Sequence, residues 1–129
     1  MKMMMVRRNG IGLAANQLGI PLRVFVAQLP RTGEKGYAEP FYAIFNPRIT
    51  HRSFRKIIDD EGCLSVPGMW GTVKRSRTLT LKGFDQNGKP LMIKAQGLLA
   101  RIFQHEVDHL DGRLFTDRTK KLFIVQRTK

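Results

Sequence analysis

The sequence predicts an α+β domain: antiparallel or mixed sheets around one central helix that lies late in the chain. Three observations carry this. Stretches rich in β-branched and aromatic residues, bounded by Gly and Pro, recur along the chain before residue 96. A single long segment with helical spacing of apolar residues, 97–110, follows them. The chain has 129 residues, 42% hydrophobic and 26% charged, which is one globular domain with a real core and little surplus. Strands first and one late helix is the α+β order.

Taken in order, residues 1–8 (MKMMMVRR) read as the end of a helix. Their apolar run, Met3 to Val6, is far too short for the core of a signal peptide, and no cleavage pattern follows. That reading places the protein in the cytoplasm, or inside an organelle if a targeting segment has been removed, where a lone thiol stays reduced. Residues 22–29 read as a strand bounded by Gly19, Pro21 and Pro30, and 30–40 as a Gly/Pro loop. Residues 41–49 read as a strand whose end Pro47 demotes to an edge. Residues 71–84 read as strand, with Thr78, Leu79, Thr80 and Leu81 alternating. Asn87-Gly88 then turns a hairpin that sends Leu91 and Ile93 inward. In the helix, Leu99, Phe103 and Leu110 form one stripe, with Leu98, Ile102, His105 and His109 on the next, and Gly112 is the stop. Leu122-Phe123-Ile124-Val125 reads as a short strand or docking segment.

No apolar run approaches a membrane span. One cysteine, Cys63, excludes an internal disulfide framework and leaves thiolate chemistry. The formal net charge is +13, spread over both halves with no block of five like charges. A spread excess reads as a solvated surface rather than a dedicated nucleic-acid groove, although it creates a positive field near RNA or ribosomes.

Residues 105–109 read His-Glu-Val-Asp-His. On a helix, residues four apart share a face, so both imidazoles can reach one metal ion, while Glu106 lies beside that face and can act on water. Two histidines can also fall four apart by chance. Here two of only three histidines sit in this pattern with the glutamate in place, which favours the metal. A catalytic metal site needs a third protein ligand and an open position. Downstream offers little. The longer zinc-protease pattern matches through Gly112 but has Phe115 where its last histidine would stand, and Asp111 and Asp117 are awkwardly close. A lone cysteine is usually a small buried hydrophobe. Beside a site short of one ligand, and flanked by Gly62 and Gly68, Cys63 is the better candidate.

A second glycine cluster, Gly10-Ile11-Gly12-Leu13-Ala14-Ala15-Asn16-Gln17, fits the letters of a dinucleotide fingerprint, but no strand precedes it and Gly19 and Pro21 arrive before a helix can develop. Two readings remain: a tight turn, or a loop offering its backbone to an extended ligand with Gln17 as a side-chain donor.

Together, Gly10–Gln17, Glu61-Gly62-Cys63-Leu64-Ser65 and Gln104–Gly112 are similar to the three signature motifs of peptide deformylases, in the same order. The resemblance runs from about residue 10 to 117 and implies a single catalytic domain over 1–129. In that domain, 10–117 form the deformylase-like core and 1–9 the remnant of an N-terminal helix, the segment before the first motif being shorter than is usual in the family. It implies removal of the N-formyl group from the N-terminal methionine of nascent polypeptides. Cys63, His105 and His109 would hold one divalent metal, iron(II) natively, with zinc(II), nickel(II) or cobalt(II) as substitutes. Glu106 would be general base and acid. Gln17 and the Leu64 backbone N–H would hold the formyl oxygen. Ile11 and Gly12 would pair with the substrate like an added strand, and Leu98 and Ile102 would line the methionine pocket. Glu61 would support the metal-ligand loop beside the substrate site, against Arg75. The partners implied are N-formylmethionyl nascent peptides, a transient ribosome contact, and a second copy covering the apolar surface that the short start exposes. No membrane partner is implied. Two other readings stay open. One is a catalytically impaired relative acting as a binding module near ribosomes, which intact Gln17, Cys63, Glu106, His105 and His109 disfavour. The other is a small zinc peptidase, which the missing downstream ligand disfavours.

Overall fold

The computed structural model describes residues 2–7, 10–32, 36–63, 66–112 and 122–124; for residues 7, 63, 66–70 and 122–124 the description is of the backbone. Helix α1 spans Lys2–Arg7. Strand β1 is Gly12–Ala14, followed by a 3-10 turn over Ala15–Leu18 and by β2, Val24–Ala27. Strands β3 (Tyr42–Arg52), β4 (Lys56–Cys63), β5 (Val66–Ser76), β6 (Thr78–Phe84) and β7 (Pro90–Gln96) lead into helix α2, Gly97–Leu110, and β8 is Leu122–Ile124. All the described pairings are antiparallel. They form a five-stranded sheet in the order β1-β2-β3-β6-β7 and a three-stranded sheet in the order β4-β5-β8.

The α+β expectation holds, and the long helix spans the expected residues. The terminal run 122–124 is a strand on β5, as its composition suggested. Three local expectations change. The strand expected over 22–29 is shorter. The stretch expected over 71–84 breaks at Arg77 into β5, which starts back at Val66, and β6, and the two belong to different sheets. Strand β3 runs past Pro47 to Arg52, and beyond Phe45 it pairs, among the described residues, with β6 alone, the edge that Pro47 was expected to make. The proline is tolerated because the register shifts between Phe45 and Arg48 and Asn46 adopts a φ of 48°, so Pro47 sits in an irregularity where no ladder N–H is required. Finally, β4 carries Asp59, Asp60 and Glu61, residues that disfavour strands, and composition did not reveal it.

The hairpin of β6 and β7 turns at Gly88 (φ 79°), where the Asp85 carboxylate accepts from the N–H groups of Asn87 and Lys89. Leu91 and Ile93 face the core. The core lies between α2 and the inner face of the five-stranded sheet: Phe25, Ile44, Leu79 and Leu81 from the strands meet Ala100, Ile102, Phe103 and Val107 from the helix. Phe103 is gripped by Phe25, tilted at 57° with centroids 5.6 Å apart, and by Tyr42, edge-on at 5.4 Å. A second cluster of Met5, Leu13 and Val26 lets α1 cover the outer face of β1 and β2. Where β3 crosses β6, a Cβ on Gly83 would lie 2.8 Å from Ile44 Cγ2 and 2.9 Å from the Phe45 carbonyl. Gly83→Ala is therefore expected to cost about 1–3 kcal/mol through overpacking, read as a lowered Tm with an unchanged folded spectrum.

Among the described residues no helix is long and apolar enough to cross a membrane.

Candidate active site

Helix α2 is buried all round from Ala100 to His109, though only part of it is apolar. Its apolar stripe meets the five-stranded sheet. Its other side presents Arg101, Gln104, His105 and Asp108, which are buried because β4 and β5 bring polar partners to them. Gln104 accepts from the Ser76 N–H and donates to the Ser76 carbonyl, both at 2.9 Å, so one side-chain amide closes the backbone at the end of β5.

Next to it lies a buried cluster of charges. Glu61 accepts two hydrogen bonds from Arg75, at 2.9 and 2.8 Å, and one from Arg101 at 2.5 Å. Arg75 also reaches Asp108, and Arg101 donates to the carbonyls of Val73 and Ile57. Two carboxylates against two guanidiniums make the cluster neutral, the condition under which such burial is tolerable. Burial alone would push the Glu61 carboxyl up. Hydrogen bonds from His105 and Arg75, and the charge of Arg75, outweigh that and hold it at about 2. Glu61 therefore only accepts, and its 2.9 Å contact with His105 Nδ1 places that ring's proton on Nδ1.

The consequence falls on the far side of the ring. With its proton on Nδ1, the His105 Nε2 carries a lone pair, and His109 Nε2 lies 3.0 Å from it. Two nitrogens bonded to one metal at about 2.0–2.1 Å stand about 3.0–3.4 Å apart. A carboxylate behind one imidazole is the usual support of a metal-binding histidine. The pair thus fits a divalent metal. Glu61, expected beside the substrate, lies behind His105 in this arrangement. Cys63 ends β4, two residues beyond Glu61; its side chain lies outside the described residues, as do Leu64 and Ser65.

Glu106 is buried at 4% exposure, one residue round from the histidines and against β1. A Cβ on Gly12 would lie 2.5 Å from Glu106 Oε2, so glycine at this position makes room for the carboxylate. The glycine cluster forms an edge strand: among the described residues, β1 pairs with β2 alone. The Gln17 side-chain carbonyl accepts from the Ala14 N–H at 2.8 Å, closing the 3-10 turn. Asn16 donates to the His109 carbonyl and ties this turn to the end of α2. Ile11 packs against the core edge and Ile102 is buried within it. Leu98 is 46% exposed and, with Ile57, Asp59, Gly97 and Arg101, lines a cavity of about 130 Å³.

Sequence reasoning did not find Asn16, Arg101, Gln104 or Asp108. The available signal was a polar stripe: Arg101, Gln104, His105 and Asp108 recur at the spacing that makes one helix face.

A charge-supported histidine pair with a buried glutamate, beside an open strand edge, can activate water against an extended peptide. Comparison with known proteins gives the family. The model of the family described as polypeptide deformylase matches residues 1–123. The peptide deformylase of Rhodopirellula baltica is 47% identical over 115 residues, 89% of this chain and 55% of that protein. That of Desulforudis audaxviator is 41% identical over 119 residues, 92% of this chain and 73% of that protein. A Met-Ala-Ser-bound crystal structure of the class I type b peptide deformylase from Acinetobacter baumannii superposes with a TM-score of 0.83 at 38% identity, covering 92% of this chain and 76% of that one. The chain thus spans between about half and three quarters of the length of these relatives. On this match along nearly its whole length, the chain belongs to the peptide deformylase family.

Proposed function

We propose that this chain hydrolyses the N-formyl group from the N-terminal methionine of newly made polypeptides, releasing formate and a free amine. The observation that carries the reading is the Glu61–His105–His109 relay, with Glu106 held against the open edge of β1. Peptide deformylases are generally metal-dependent. Here His105, His109 and Cys63 would hold the metal, Cys63 being assigned from its place at the end of β4. A donor set of two imidazoles and one thiolate suits iron(II), taken as the native ion, and accepts zinc(II), nickel(II) or cobalt(II). When bound, the metal supplies Lewis acidity that activates water near neutral pH.

The chain's own residues do the rest. Glu106 takes a proton from the attacking water and delivers one to the departing amine nitrogen. As the formyl oxygen gains charge, the Gln17 amide and the Leu64 N–H donate to it; losing one such donor typically costs about 10²–10³ in rate. The backbone of Ile11 and Gly12 pairs with the substrate as an added strand. Leu98 and Ile102 take the methionine side chain. The peptide bound in the Acinetobacter relative, Met-Ala-Ser, is of the kind such an edge would receive. The site of action is the cytoplasm, or the interior of an organelle that makes formylated chains.

The test is formate release from a formyl-Met tripeptide by protein purified without oxygen and loaded with Fe(II) or Ni(II). Turnover supports the reading; one bound metal per chain with no turnover overturns it. Cys63→Ser is expected to weaken metal retention by more than the roughly 10–100-fold that loss of an outer-shell partner costs, measured as metal content after dialysis. Unchanged content would remove Cys63 from the ligand set.

A further inference from the structure

The outer face of the five-stranded sheet is covered unevenly. Over β1 and β2, α1 packs on it through Met5. That cover reaches Ala43 at the start of β3; farther along, the outward residues of β3, β6 and β7 are exposed or half-buried. Leu79 and Leu81 point into the core, so Thr78, Thr80 and Lys82 point outward. The register then builds rows across the three strands. Arg48 pairs with Lys82 and Lys82 with Met92; His51 pairs with Thr80 and Thr80 with Lys94; Thr78 pairs with Gln96. Arg48 opposite Lys82 is a like-charge pair, which costs stability unless something anionic lies over it. The three strands contain no Asp or Glu.

This face also has a groove and an aromatic tip. The groove is about 410 Å³ and is lined by His51, Thr78, Thr80, Lys94 and Gln96, groups that donate and accept hydrogen bonds. At its end the chain turns from β3 to β4. The turn is pinned by Ser53 N–H to the Thr78 carbonyl (3.0 Å), Thr78 N–H to Ser53 Oγ (3.1 Å) and Arg77 N–H to the Arg55 carbonyl (2.9 Å). At its tip Phe54 is fully exposed, at 103%, next to the exposed Arg55. A rigid turn that holds a phenyl ring wholly in water between cations gains nothing for folding.

We propose that this bare half-face, with the Phe54 turn at its end, is a docking surface for folded RNA. Arg48, Lys82, Lys94 and Arg55 meet phosphates, the groove residues meet ribose hydroxyls, and Phe54 stacks on an unpaired base. Charge complementarity chooses a polyanion. Scattered apolar groups separated by cations do not form the continuous apolar patch that a lipid surface would bury. The choice of RNA over DNA rests on the proposed function, since formylated peptides emerge from ribosomes. Because α2 and the histidines lie on the other side of the sheet, RNA and substrate bind together.

The test is fluorescence anisotropy of a labelled RNA stem-loop with an unpaired loop, over a salt series, with formate release measured separately on each protein. Phe54→Ala is expected to weaken binding about tenfold with an unchanged salt slope, and Phe54→Trp to restore it. Lys82→Gln with Lys94→Gln is expected to reduce the slope of log K against log salt by about 1.4–1.8, at about 0.7–0.9 for each lost phosphate contact. All these proteins should release formate at the parent rate. Absence of binding at low salt, binding indifferent to these substitutions, or tighter association with a DNA hairpin or with anionic phospholipid vesicles overturns the proposal. Failure of formate release in the parent with RNA binding intact would instead overturn the proposed function alone.

Discussion

Glu106→Ala is expected to keep its metal and lose turnover by about 10²–10⁴, the range that a positioned general acid–base supplies. Glu106 lies between the two histidines on α2 but not on their face, so its removal takes nothing from the facing Nε2 pair. It is buried against Gly12 of the edge strand, where a peptide would pair. Glu106→Gln keeps the volume and removes the basicity, and should lose as much. KM should move little in both, because Leu98 and the β1 backbone are untouched. The steric converse is Gly12→Ala. Its new Cβ would lie 2.5 Å from Glu106 Oε2, 3.0 Å from Cδ and 3.1 Å from Cγ, so the carboxylate must swing out of place. Metal content should stay and kcat fall. Turnover within tenfold of the parent in Glu106→Ala would show that the base is another group; loss of metal would make Glu106 a support of the ligand pair.

What the sequence made legible, and what it hid, divides by the kind of signal. The helix over 97–110 and the Asn87-Gly88 hairpin are written in local periodicity and turn chemistry, and the structure has both. So is the HExxH pattern, because four residues on a helix is a fixed distance in space. Strand β4 was illegible because its stability is not local. Asp59, Asp60 and Glu61 disfavour a strand, and Glu61 is tolerated there only because Arg75, fourteen residues on, and Arg101, forty on, neutralise it. Pro47 was legible as the start of an edge, since beyond Phe45 β3 keeps β6 alone as its neighbour among the described residues; the register shift around Asn46 was not, because it belongs to the pairing of two strands distant in sequence. The same holds within the site. Glycines at 10 and 12 announce close approach, but not that Gly12 makes room for Glu106 specifically, nor that Asn16 fastens this turn to the end of α2. Arg101 and Asp108 read as surface charges until their partners arrive from the other sheet.

That dependence makes Glu61 the second position where a large effect is expected. Glu61→Leu leaves Arg75 with Asp108, and Arg101 with two backbone carbonyls, so the buried cluster carries an unbalanced positive charge. Breaking a buried pair in this way costs about 3–5 kcal/mol, which in a domain of this length is a fall in Tm of about 10–20 °C. His105 Nδ1 also loses its acceptor, so metal affinity should fall roughly 10–100-fold. A double variant separates the two effects. Arg101→Met added to Glu61→Leu removes the unbalanced charge and replaces it with an apolar chain, so much of the lost Tm should return, with a coupling of about 1–3 kcal/mol between the two sites. Metal affinity should not return, because the missing acceptor behind His105 is still missing. If stability and metal affinity recover together, Glu61 acts only by holding the sheet against the helix, and its contact with the His105 ring has no part in preparing Nε2 for a metal.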